Sequence, residues 1–416
     1  MRDRRVAAAA RFEASSLPSV DEEVWRYSRV AELELDAWST PAAPLVPPSV
    51  PDGARAILAA YTERAAAVVV VDGAAVLAEV AGRWAARGVT AGPIGATDRG
   101  EGQLGRAASE AMGRVGGGPV DVFALMNDAF ASEPILVDVP DGVVVDAPVV
   151  VIHWFEGRGT AAFPRLVVRL GQDAQAAVVD VHASGADAAV FTAPVTELDL
   201  DRSARLGYLN VQELGAACWQ IASQVSSVDA EAALLSACAG FGGDYARQRT
   251  DCRLVGRGAT GTLIAVYFGE ADQTLDFRTF QDHAAPDTTS DLLFKGAVAG
   301  HSHSVYTGLI RVRKEAARTN AFQTNRNIKL SDGAWALSVP NLKIENNDVS
   351  CSHASAVGPI DEDQRFYLES RGVPPTVAER LVVTGFFDEV LGRVPVAAAV
   401  PDLRRAVAAK LERCAL

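Results

Sequence analysis

The hydrophobic pattern divides the chain into three stretches. In the first, residues 21–30 open on Asp21, Glu22 and Glu23 and carry Trp25 and Tyr27 as packing candidates, which predicts a short helix with an acidic first turn. Residues 66–71 are an unbroken apolar run closed by Asp72-Gly73, the pattern of a buried strand and a turn. Residues 74–87 then set Val76, Val80 and Trp84 four apart and predict a helix. Gly116-Gly117-Gly118-Pro119 breaks the chain. Residues 121–130 resume helical spacing, and Glu133-Pro134 ends it.

From residue 135 to 349 the texture changes to short β-rich runs, at 135–139, 148–154, 165–170, 177–182, 195–200, 232–237, 261–268, 274–280, 292–298, 304–312 and 335–339. Gly, Asp and Asn separate them, and amphipathic helices are lacking. This is too much β structure for one sandwich, which leaves a solenoid, a large barrel or a propeller. No blade signature of fixed period is visible. An irregular parallel β-helix fits best, because small residues such as those of Leu234-Leu235-Ser236-Ala237-Cys238-Ala239 allow coils to stack closely. The open ends of such a solenoid need covering, and the flanking segments are natural caps. Helical spacing returns at 361–370. Pro374-Pro375 suits the first turn of the next helix and Gly385 its end, Phe386, Phe387, Val390 and Leu391 recur at helical spacing, and 401–411 reads as a last helix. The expected organisation is a helix-rich α/β region over 1–134, a β-helix core over 135–349 and a helical region over 350–416.

Composition narrows the function. The 416 residues are 49% hydrophobic and 22% charged, which excludes wholesale disorder and coiled coil. A net charge of −13 with no local basic patch argues against nucleic-acid binding. None of the lysines, Lys295, Lys314, Lys329, Lys343 and Lys410, follows a glycine, so the chain lacks a P-loop. The 5 cysteines are scattered without a CxxC pair, which excludes a closed four-cysteine zinc site and a disulfide framework and points to a reducing compartment. The apolar stretch at 6–10 is too short for a signal peptide, and the longest later one, 65–71, is too short to span a membrane. A cytoplasmic protein is expected.

Candidate chemistry concentrates in Asn346-Asn347-Asp348-Val349-Ser350-Cys351-Ser352-His353. In extended backbone, residues two apart share a face, so Cys351 and His353 could present a thiolate and an imidazole to zinc or an iron–sulfur cluster, although two ligands do not complete a site. The same pair could act as nucleophile and base, or could be a buried thiol beside a hydrogen-bonded imidazole. His301 and His303 repeat the spacing and read as strand decoration. His153, His182 and His283 are isolated and read as ordinary histidines, and Cys218, Cys238 and Cys252 as small buried hydrophobes. Asp361, Glu362 and Asp363 offer carboxylates for acid–base work, but a helix start explains them better.

Pro340-Asn341-Leu342-Lys343-Ile344, then Asp348 through Ala354, then Gln364-Arg365-Phe366-Tyr367-Leu368-Glu369-Ser370-Arg371-Gly372 and the stretch from Ala378 to Phe386 together resemble the C-terminal signature of the SufB/SufD family of iron–sulfur cluster assembly proteins. Glu23-Val24-Trp25-Arg26-Tyr27 and Asn127-Asp128-Ala129-Phe130 resemble its N-terminal motifs. Within the family the Cys-Ser-His element is most like SufD, with Ala354-Ser355 departing from the usual Gly-Ala.

The resemblance implies a right-handed parallel β-helix between helical segments and a non-catalytic scaffold role. It implies pairing with a SufB-like subunit and docking of SufC-type ABC ATPases on the C-terminal helices, where Phe386, Phe387, Val390 and Leu391 would be either a docking stripe or core. His353, with Cys351 beside it, would face a nascent iron–sulfur cluster shared with the partner. A reduced flavin in the complex is a further implication, and an exposed pairing strand on such a β-helix would permit a homodimer of the isolated chain. The competing readings are a β-helix hydrolase or lyase using Cys351 and His353 or the carboxylates, and an interaction scaffold that never touches a cluster.

Overall fold

The computed structural model describes residues 2–40, 49–94, 113, 115 and 118–414, so the break expected at Gly116-Gly117 lies outside the described residues. Two antiparallel pairs begin the sheets: β1 (Ala66–Val71) with β2 (Ala74–Val80), and β3 (Thr90–Pro93) with β4 (Ile135–Val139). There follow β5 (Val149–Phe155), β6 (Arg158–Ala162), β7 (Arg165–Leu170), β8 (Gln175–Ser184), β9 (Ala189–Thr192), β10 (Val195–Leu200), β11 (Arg205–Glu213), β12 (Trp219–Val228), β13 (Ala233–Gly240), β14 (Tyr245–Leu254), β15 (Thr260–Gly269), β16 (Thr274–His283), β17 (Thr289–Val298), β18 (His303–Val312), β19 (Thr319–Lys329), β20 (Trp335–Ile344) and β21 (Val349–Gly358). One sheet runs β2-β1-β5-β8-β11-β13-β15-β17-β19-β21 and the other β20-β18-β16-β14-β12-β10-β7-β4-β3. The chain thus passes from one sheet to the other and back, stacking its coils as a parallel β-helix between helical flanks. The register Ala233, Thr260, Thr289, Asn320 advances by unequal steps, so no fixed period could show in the sequence.

One corner is built alike in successive coils. Gly142, Asp173, Ser203, Glu231, Gly258, Asp287 and Arg318 all adopt left-handed backbone. Each donates its N–H to a carbonyl of the following coil, as Asp173 does to Arg202 and Ser203 to Ala230. Left-handed backbone is unfavourable for residues with a Cβ, and the inter-coil bond repeated at each level offsets that cost. Glycine supplies the conformation without strain at Gly142 and Gly258.

Alternate strand residues fill the lumen, including Val149, Val151, Val178, Leu206, Tyr208, Leu234, Leu263, Tyr267 and Phe294. The opposite faces of the two sheets are covered by the flanks. Trp25, Val30, Leu33, Phe123 and Met126 pack on Phe163, Phe191, Trp219 and Tyr245. Val383, Phe387, Val390, Leu403, Val407 and Leu411 pack on Val181, Leu209, Ala239, Val266 and Phe268.

Several expectations are corrected. Residues 21–29 form turns rather than a helix: Trp25 and Ser28 donate to carbonyls three residues back. Tertiary contacts hold this shape, since the Arg247 guanidinium lies 4.2 Å from the Trp25 ring and donates to the Val24 carbonyl at 2.7 Å. Tyr27, expected to pack, is exposed. Residues 74–80 are strand β2, because Asp72 and Gly73, at φ 44° and 88°, close a hairpin onto β1. The sheets also exceed the 135–349 span, taking in β1–β3 before it and β21 across its end. Gly385 does not end its helix, which runs Pro375–Leu391 because its later turns are buried on the solenoid. The helices Pro375–Leu391 and Val400–Arg413 accordingly lie along a sheet face instead of capping the last coil.

Candidate functional site

The last coil is where the candidate residues fall. Among the described residues, edge strands β20 and β21 each pair on one side only, with β18 and β19. β20 carries Pro340 and Lys343, features that discourage further pairing. β21 contains no proline, lysine, arginine, aspartate or glutamate over its 10 residues and is an unguarded edge. Val357 on this strand, and Trp335, Leu342 and Ile344 on β20, are exposed.

Cys351 and His353 both lie on β21, opposite Ala321 and Gln323 of β19. Ala321, Gln323 and Asn325 are the buried, lumen-facing residues of β19, so Cys351 and His353 project on the same side at the mouth of the lumen. Cys351 is half-buried against Ile310, Val312, Ala316 and Ala321, whereas His353 is exposed. Burial pushes the Cys351 thiol up, and the Ala321 backbone only partly offsets it. Activation of Cys351 as a nucleophile by His353 is therefore not what the electrostatics favour.

Asp361 accepts hydrogen bonds from the N–H groups of Asp363 and Gln364 at 3.0 and 3.1 Å, capping the helix Glu362–Ser370. This cap, with the acidic first turn of Glu362 and Asp363, accounts for the carboxylates structurally. His301 sits in the corner before β18 and His303 at the start of that strand, the latter against the Trp335 ring, so they do not form the side-by-side pair that their spacing allowed. Burial raises the Cys238 thiol to about 12 and that of Cys252 to about 11, and raises Cys218 as well, consistent with inert packing residues.

Of the four residues weighed as a docking stripe, Phe387, Val390 and Leu391 are core, at 0%, 1% and 2% exposure, and cannot meet a partner. Phe386 is partly covered and fixed from below: buried Lys295 donates to its carbonyl at 2.8 Å, sits 4.4 Å from its ring and pairs with Glu389 at 2.5 Å. The apolar residues these helices expose are Phe366, Tyr367, Val377 and Leu381.

One grouping escaped the sequence reading. His153 and His182, taken as isolated, are neighbours in adjacent coils and meet Asp180 in the lumen. The spacing of Asp180 and His182 was the visible signal; the stacking of His153 on them depends on coil length, which the sequence does not display.

The family model for the SUF system FeS cluster assembly, SufBD core domain, matches residues 153–386. An iron-sulfur cluster assembly SufBD family protein of Mycobacterium tuberculosis is 35% identical over 305 residues, covering 71% of this chain and 75% of the relative. A SufBD family protein of Mycobacterium leprae is 30% identical, covering 76% and 78%. The iron-sulfur cluster assembly protein SufD of Bacillus subtilis is 28% identical, covering 62% and 60%.

Proposed function

Because this chain belongs to the SufBD family of iron–sulfur cluster assembly proteins, we propose that it is a SufD-like scaffold subunit that pairs with a SufB-like solenoid and helps to hold nascent cluster at their junction. The observation that carries this reading is the unguarded edge strand β21, which brings Cys351 and His353 to the mouth of the lumen. A ten-residue edge without charge or proline is a template for another strand, and a second solenoid can extend the stack across it. The two side chains then lie at the seam, where the partner supplies the remaining ligands. An imidazole and a thiol suit iron and sulfide chemistry, and coordination by iron would draw Cys351 into the thiolate form that burial disfavours in the isolated chain.

In this reading ATP hydrolysis belongs to a SufC-type partner, a division that the lack of a glycine-lysine P-loop in this chain supports. The exposed side of the C-terminal helices, with Phe366, Tyr367, Val377 and Leu381, is its docking surface in this reading. The test is affinity purification from native cells followed by anaerobic iron and sulfide reconstitution of the complex. A longer SufBD-type chain and an ABC ATPase should accompany this chain, and His353→Ala should abolish the cluster absorption of the reconstituted complex. Purification without either partner, or unchanged absorption in the variant, would overturn the reading.

A further inference from the structure

His153 of β5 and His182 of β8 face each other across a parallel ladder, their rings stacked with centroids 4.9 Å apart and planes at 29°. Asp180 Oδ1 is 3.2 Å from Nε2 of His182 and 3.7 Å from Nε2 of His153, and one ligating atom from each of the three residues lies within 4.8 Å of the others. A cation bound by nitrogen and oxygen at about 2.1 Å in tetrahedral geometry holds its ligands roughly 3.4 Å apart. The two carboxylate–imidazole distances bracket that value, and the ligating nitrogens of the two imidazoles lie within 4.8 Å of each other.

The hydrogen bonding of the triad is incomplete. His153, Asp180 and His182 are 2%, 0% and 2% exposed. Among the described residues, both nitrogens of His153 and Nδ1 of His182 have no hydrogen-bond partner, and Oδ1 of Asp180 has none of good geometry. His283, another buried histidine of the lumen, differs: its Nδ1 lies 2.8 Å from the Thr288 hydroxyl and its Nε2 2.9 Å from the Ser290 hydroxyl. Tyr208 donates to Asp180 Oδ2 at 2.7 Å, leaving Oδ1 toward the imidazoles.

We propose that His153, Asp180 and His182 bind a divalent first-row transition cation, zinc or ferrous iron, that ties two adjacent coils of the solenoid together. Two imidazole nitrogens and one carboxylate oxygen suit these ions; magnesium and calcium favour all-oxygen sites, and cuprous ion favours sulfur. The Tyr208 hydroxyl orients the carboxylate. Because the site is enclosed, the ion enters as the coils close during folding.

The test uses the full untagged chain, unfolded in chelator and refolded anaerobically with zinc, with ferrous iron or with chelator alone, then desalted and measured for metal by mass spectrometry. Wild type should retain close to one ion per chain with zinc, iron or both and melt at a higher temperature than the chelator sample, the two metal arms identifying which ion is taken. Cobalt refolding should give the visible absorption of a low-coordinate nitrogen–oxygen site. Asp180→Asn and His153→Ala should each lower retained metal at least about tenfold, while His283→Gln should not. Retention by wild type no greater than by Asp180→Asn, or no cobalt absorption from wild type, would overturn the proposal. The wild-type cobalt spectrum decides the matter even if the variants fail to fold.

Discussion

Cys351 and His353 stand two residues apart on the same side of β21, yet Cys351 is packed against Ala321 while His353 is open to solvent. The two should therefore respond differently. His353→Ala truncates an exposed side chain and should change stability by less than about 0.5 kcal/mol, so any loss of cluster assembly reports chemistry rather than folding. In the isolated chain Cys351 should be alkylated at neutral pH more slowly than a free cysteine, because burial pushes its thiol up and lowers the thiolate fraction. Mass spectrometry of a time course against a free thiol standard measures this. A rate above that of the standard would show that the thiol is activated.

Ser352 and Ala354 are exposed on the other side of the same strand. Lysine at both positions leaves Cys351 and His353 intact but guards the edge as natural edge strands are guarded. Ser352→Lys/Ala354→Lys should abolish association with the second solenoid subunit, and any homodimer of the isolated chain, while the melting temperature stays within about 2 °C of wild type. Light scattering coupled to size exclusion reads the assembly state. An unchanged complex would mean that β21 is not the junction.

How much of this was legible in the sequence depended on where side chains point. Residues 66–71 were readable because both faces of the strand are buried and the run is apolar throughout. β14 was missed because Arg247, Arg249, Asp251 and Arg253 interrupt it; Arg247 pairs with buried Asp276, and Arg249 with Asp251 at 2.9 Å. β19 was missed for the opposite reason, because its inward positions are polar. Asn325 and Asn327 are paired there by Tyr267: Asn325 donates to the Tyr267 hydroxyl at 2.9 Å, and that hydroxyl donates to Asn327 at 2.7 Å. A closed lumen can take amides that a two-layer sheet would reject, and no sequence period announces this. At the candidate site, the residue types and their shared face were visible in Cys351-Ser352-His353, but the bare edge was not, since it depends on the C-terminal helices lying along the sheet.

Those helices supply the next prediction. Phe387 is fully buried, 6.2 Å from Phe268 between ring centroids, and Phe387→Ala should destabilise the chain by about 3–5 kcal/mol. Phe366 and Tyr367 are 71% and 58% exposed, so alanine at both should leave denaturant unfolding unchanged yet reduce recovery of the ATPase partner. If Phe366→Ala/Tyr367→Ala unfolds as readily as Phe387→Ala, these side chains are structural and the docking surface lies elsewhere.

His283 gives the fold a calculable acid sensitivity. The Thr288 hydroxyl donates to the Ala285 carbonyl at 3.1 Å, so its oxygen is free to accept from Nδ1–H of the neutral ring. Nε2 can then accept from Ser290. Burial lowers the imidazole from its ordinary 6.5 to about 4, with Asp282 pulling weakly the other way. In the unfolded chain the ring takes up its proton near pH 6.5, whereas in the folded chain it does so only near pH 4. Between those values the unfolded state binds more protons, so stability rises with pH across the window. The contribution is complete above about pH 6.5 and is lost as pH falls to about 4, amounting to roughly 3 kcal/mol. His283→Gln keeps a polar side chain without this titration. Urea unfolding at a series of pH values should show wild type losing that much more stability than the variant across the window, superimposed on the loss that acidic groups cause in both. Parallel pH profiles would mean that His283 is protonated as easily in the fold as outside it, and that the two hydroxyls do not hold the ring neutral.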